Sequence, residues 1–175
     1  HVVNEKDPYH ITALKFKELV EAKSQGKIKV EVFPNASLGD ERALIEGMQM
    51  GTVHAGVITN GPIGNFLPEL AVFEMPFLFA NEAEAYKVLD GPVGQKMLTK
   101  FEAINLKGLA FAERGFRNLT NSKRPVRTPA DAAGLKVRVM ENPVFIDTFK
   151  ALGVNAVPMA WTEALTALQQ KTIDG

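Results

Sequence analysis

Apolar and polar positions alternate with two different periods along this chain, and the period switches repeatedly. From Pro8 to Gln25 the apolar positions fall three and four apart. Ala13, Phe16, Val20 and the stem of Lys23 then share one face, which predicts a helix stopped by Gly26. Lys27 to Phe33 alternates strictly, with Ile28, Val30 and Val32 opposite Lys27, Lys29 and Glu31, the signature of a half-buried strand. A second helix is predicted after Asp40, with Leu44, Ile45 and Met48 inward and Gly51 as its stop. His54 to Thr59 again reads as strand, before a loop at Asn60-Gly61-Pro62.

Val72 to Phe79 is apolar but broken by Pro76, so it is not a regular strand throughout. Its Phe73, Met75, Phe77 and Phe79, with Met48 and Met50, are expected in the core. Asn81 and Glu84 are spaced as a capping box for a helix to Leu89. Asp90-Gly91-Pro92 turns into a further helix with Val93, Met97, Leu98 and Phe101 inward. Leu106 to Thr120 reads as a long extended crossing. Thr128-Pro129-Ala130-Asp131 starts a short helix ended by Gly134. Leu135 to Val139 is a strand, with Leu135, Val137 and Val139 on one face and Lys136, Arg138 and Met140 on the other. Asn142 caps a helix burying Phe145, Ile146, Phe149 and Leu152; Val154 to Pro158 is a strand; Trp161 to Gln170 is a last helix.

Strands alternating with helices of ten or more residues imply an α/β fold with mostly parallel sheets. The crossing segment around Glu113 to Asn121 is the sharpest boundary between two such runs. Composition narrows the function. Hydrophobic residues are 46% of the chain, as in a packed protein, and the 20 basic residues balance 20 acidic ones. That balance argues against a nucleic-acid or membrane-surface binder. Cysteine is absent, which excludes disulfides and thiol chemistry. The three histidines, His1, His10 and His54, lack metal-ligand spacing, so no metal or other cofactor is expected. No apolar run is long enough to span a membrane. His1 is read as lying inside a strand, which implies that a signal peptide has been removed.

In open α/β sheets ligands bind beyond the carboxyl ends of strands. Three such places carry polar chemistry: Thr59 and Asn60 after Ile58, Arg117 and Asn118 after Phe116, and Arg138 after Val137. Arginine offers a planar donor fork that fits a carboxylate. Arg138, on the non-apolar face of a short strand, is the expected anchor of an anionic small molecule; a surface ion pair is its alternative. Trp161 reads equally as core or as the apolar wall of a site. The acids Glu113, Glu141 and Asp147 match no acid–base pair, and no nucleophile or phosphate-loop motif occurs, so an enzyme is not expected.

Four ordered blocks carry a resemblance: Leu38 to Gly56, Val72 to Phe79, Gly115 to Val139 (GFRNLTNSKRPVRTPADAAGLKVRV) and Leu152 to Gly175. Together they resemble the DctP-like periplasmic solute-binding proteins of TRAP transporters. The resemblance implies a two-lobed, periplasmic-binding-protein-like clamshell, with residues 1–115 in lobe 1 and 116–175 in lobe 2. It implies a periplasmic monomer that captures a small organic acid, a C4-dicarboxylate or a sugar acid, and delivers it to TRAP membrane subunits. By position, Arg138 matches the arginine that pairs with the ligand carboxylate and Arg117 a second ligand arginine. Thr59 and Asn60 match the loop at the ligand's polar end, Trp161 an aromatic wall, and Glu41 a site near ligand hydroxyls. The resemblance also implies a fragment, because the family continues beyond Asp174-Gly175. A ligand-sensing clamshell of a signalling protein is the alternative.

Overall fold

The computed structural model describes residues 1–175. Eight α-helices and two strands follow in the order α1 (Pro8–Lys23), α2 (Glu41–Met50), α3 (Asn60–Ile63), α4 (Glu82–Leu89), α5 (Pro92–Thr99), α6 (Pro129–Ala132), β1 (Lys136–Val139), α7 (Pro143–Ala151), β2 (Asn155–Pro158) and α8 (Trp161–Gln169). Short 3-10 turns cover Pro68–Glu74 and Lys100–Ile104. Strands β1 and β2 pair in parallel, with Arg138 opposite Val157, and α7 crosses between them.

The helix starts follow the capping residues. Asp40 accepts the Ala43 N–H at 2.9 Å, Asn81 that of Glu84 at 3.0 Å and Asn142 that of Val144 at 2.9 Å. Each removes one orphan donor from a first turn. Thr128 and Asp131 close the expected cap at α6, where the Asp131 carboxylate accepts the Thr128 N–H at 2.8 Å. Along β1 the alternation holds: Val137 and Val139 are buried, and Arg138 faces the other way. A third extended segment runs beside β1. Asp174 N–H donates to Lys136 O at 2.7 Å, and Arg138 N–H to Gly175 O at 2.8 Å.

Three small apolar clusters make the core. Val2, Val3, Tyr9 and Leu44 form one; Ile45, Ile63, Leu67 and Leu70 a second; Ala132, Leu135, Val137 and Val154 a third around β1. Other expectations are corrected. The segments 27–33, 54–59 and 106–120 join no ladder. Alternation selects a face; a strand also needs a run of bonds to a neighbour, and beside segment 27–33 the His1 N-terminus reaches only Phe33 O, at 3.1 Å. Helix α1 buries only Tyr9, with Phe16 and Leu19 open to solvent. Of the residues expected in the core, Met50 (72% exposed), Met75 (50%) and Phe77 (100%) lie outside it. Phe77 has a φ of 59°, in the left-handed region that residues other than glycine seldom adopt. Val93 and Leu152, expected inward, are also exposed.

Candidate functional site

The polar ends of these elements meet in one cavity. It is lined by Val2, Val3 and Glu41 on one side, by Thr59 and Trp161, and by Arg114, Arg117, Arg138 and Met140. A cleft opens from it past Arg138, Met159 and Trp161 toward Asp40 and Arg42 at the start of α2.

Arg138 reaches the cavity because β1 alternates. Its backbone is held on both edges, and its side chain leaves the face opposite Val137 and Val139. The guanidinium donates from Nε at 3.0 Å and Nη2 at 2.8 Å to the Met159 carbonyl just past β2. It lies 5.9 Å from the Trp161 ring centroid, within cation–π range. No carboxylate sits within ion-pair distance of Arg138 or Arg117. Burial pushes the Arg138 pKa down; Glu41 opposes that, while the like charges of Arg117 and Arg114 add to it. An anion entering the cavity relieves both the desolvation and the repulsion.

Arg117 donates to the Met140 thioether at 3.7 Å and lies 5.3 Å from the Phe145 ring centroid. A thioether is a weak acceptor, and the nearest counter-charge acting on Arg117, that of Glu74, lies beyond ion-pair distance. Arg114 was not singled out by sequence reasoning. In a regular strand, residues three apart face opposite sides, so Arg114 and Arg117 do not read as a pair. Gly115, at φ 79°, breaks that alternation, and both arginines line the cavity. Arg114 donates to Asp7 Oδ2 from Nη2 at 2.7 Å and from Nε at 3.2 Å.

Glu41 is 7% exposed, in the first turn of α2, and its carboxylate accepts the Thr59 N–H at 2.7 Å. Thr59 Oγ1 in turn accepts from the Tyr9 hydroxyl at 3.0 Å. Burial pushes the Tyr9 hydroxyl pKa up, so it stays a donor. Of the six residues singled out from sequence, Arg138, Arg117, Thr59, Trp161 and Glu41 line the cavity. Asn60 does not: it is the first residue of α3, and its amide donates to Leu70 O at 3.3 Å. Tyr9, Met140 and Arg114 are the site residues that pattern alone missed. The set holds no paired acid and base on a common reacting position and no group of metal ligands.

The family model for bacterial extracellular solute-binding protein family 7, DctP, matches residues 1–175. A solute-binding protein of Verminephrobacter eiseniae is 49% identical over 160 residues, covering 91% of this chain and 48% of that protein. The TRAP periplasmic solute-binding protein of Polaromonas sp. JS666, solved bound to D-erythronate, is 45% identical with a TM-score of 0.95, over 99% of this chain and 57% of that one. The sugar acid binding protein DctPAm of Advenella mimigardefordensis, solved with galactonate, is 43% identical with a TM-score of 0.96, over 100% of this chain and 56% of that one. The chain spans about half the length of the curated relatives it matches. The α/β fold with a parallel sheet is thus the solute-binding-protein fold, and its proteins bind solutes rather than turn them over. This chain belongs to the DctP family of bacterial extracellular solute-binding proteins.

Proposed function

We propose that this chain is part of a periplasmic solute-binding protein that captures a small organic acid, a sugar acid or C4-dicarboxylate, and hands it to the membrane subunits of a TRAP transporter. Residues 1–115 and 116–175 contribute to separate lobes that close on the ligand, and the protein works as a monomer. The observation that carries this reading is the pair Arg138 and Arg117. Both face the cavity, and neither has a carboxylate partner. Arg138 anchors the ligand carboxylate, Arg117 assists, and Trp161 walls the apolar side. Thr59 and Glu41 face the ligand's hydroxylated end. Asn60 supports the Thr59 loop from behind. The relatives solved with D-erythronate and galactonate support an acid as the ligand class.

Calorimetry on the full-length protein tests the anchor. Removing one member of a buried hydrogen-bonded charge pair costs about 2–5 kcal/mol. Arg138→Ala is therefore expected to weaken acid binding by about 30-fold or more. Unchanged affinity in that variant refutes the assignment. A sodium-dependent uptake assay with the two membrane subunits supplied tests delivery.

A further inference from the structure

Two short segments meet behind the cavity. One is α3 with Gly64 and Asn65, which follow it; the other is the turn from β1 into α7, Met140 to Asn142. Asn142 is fully buried, and both ends of its amide are used. Its oxygen accepts the Val144 N–H, and its nitrogen donates to Gly61 O at 2.8 Å, across 81 residues of chain. Beside it the exposed Asn65 amide donates to the Glu141 carbonyl. Two glycines let the segments approach. A Cβ on Gly61 would meet Met140 Cε at 2.7 Å, and one on Gly64 would meet Asn142 Nδ2 at 2.7 Å. Gly64 has a φ of −56°, open to any residue, so space rather than backbone explains it.

The same two segments carry polar contacts of the cavity. Thr59 immediately precedes α3, and Arg138 lies two residues before Met140; both line the cavity. Asn142 lines neither the cavity nor its cleft. A solute held by Arg138 and Thr59 therefore draws together the segments that Asn142 bonds. Parting them strands no group. Gly61 O keeps the Gly64 N–H at 3.1 Å, and Asn142 still caps α7 while water takes its freed nitrogen. A bond that breaks without leaving an unsatisfied partner is suited to repeated making and breaking.

We propose that Asn142 is a positioning residue for solute capture, a latch whose bond to Gly61 O forms as the lobes close and slows their reopening. It acts from outside the cavity by adding stability to the closed state alone, so a bound solute leaves more slowly. The inference rests on the two-lobe reading above, with Gly61 in the lobe of residues 1–115 and Asn142 in that of residues 116–175.

Two variants of the full-length protein separate a latch from a permanent structural bond. Asn142→Asp caps α7 as well as asparagine does, but turns a carboxylate oxygen toward Gly61 O. Gly64→Ala suits the local backbone and pushes Asn142 away, and it carries the test if Asn142→Asp folds poorly. D-erythronate, galactonate and succinate are the probes. For the one bound most tightly, stopped-flow kinetics is expected to show dissociation faster by about tenfold in both variants, with association within about twofold of wild type. Without acid, both variants are expected to melt at the wild-type temperature, because the latch is then open. Unchanged dissociation in both variants overturns the latch and leaves the solute-binding reading standing. So does an acid-free loss of melting temperature as large as the loss with acid bound, which marks a permanent bond. A wild type that binds none of the three acids overturns both.

Discussion

Glu74 shows how a single residue near the site carries its cost in pH dependence. Burial pushes its carboxyl pKa up, against the pull of Arg117 and Asn60. An acid with a raised folded value binds more protons folded than unfolded, so stability falls as pH rises through that value. Glu74→Gln removes the penalty. The variant is expected to melt at a higher temperature than wild type at pH 7, with the gap closing toward pH 4, near the ordinary carboxyl value. A melting curve series over that range checks it. Gly61 is a second residue with a defined job. A Cβ there would meet Met140 Cε at 2.7 Å, so Gly61→Ala pushes Met140 toward the cavity it lines. The expected outcome is weaker acid binding by calorimetry, with only a small change in melting temperature, because the displaced atom ends a flexible side chain.

At the scale of elements, Asn142 joins two of them. It is 0% exposed, caps α7 through the Val144 N–H, and donates to Gly61 O in α3 at 2.8 Å. Asn142→Ala loses a cap and the bond to Gly61 O, which keeps its bond from the Gly64 N–H at 3.1 Å, an expected loss of about 1–3 kcal/mol measured by chemical denaturation. The strand β1 depends on Asp174 in a different way. Its carboxylate accepts the Lys136 N–H at 2.9 Å, and Lys123 lies 3.5 Å away. That backbone bond, then Lys123, holds the Asp174 pKa down, as the backbone bonds from Arg127 and Thr128 do for Asp131. Depressed acids contribute stability that is present above the unfolded value and lost as pH falls through the folded one. Acid melting is expected to steepen below about pH 4, less so in Asp174→Asn. The capped helices and β1 were legible in the chain because caps and alternation act within a few residues. Segments 27–33 and 54–59 read as strands and 106–120 as a strand-like crossing, but pairing depends on a distant neighbour that alternation does not specify.

For the molecule as a whole, the charge arrangement couples folding to ligand. Three arginines from two segments crowd one cavity, and an anion there favours the folded state by mass action. Thermal melts of the full-length protein are expected to rise with added sugar acid and to stay flat with the corresponding neutral sugar.

The chain by itself determined the helix starts at Asp40, Asn81, Thr128 and Asn142, the parallel α/β pattern and the family blocks. It also pointed to Arg138 and Arg117, because the alternation of β1 and the GFRN block lie within short stretches. Only the tertiary structure decided that Arg114 joins them and that Asp7, 107 residues away, neutralises it. It likewise turned Asn60 aside and left Phe77 in solvent. These depend on a backbone reversal at Gly115 and on contacts between distant segments, which no local period encodes.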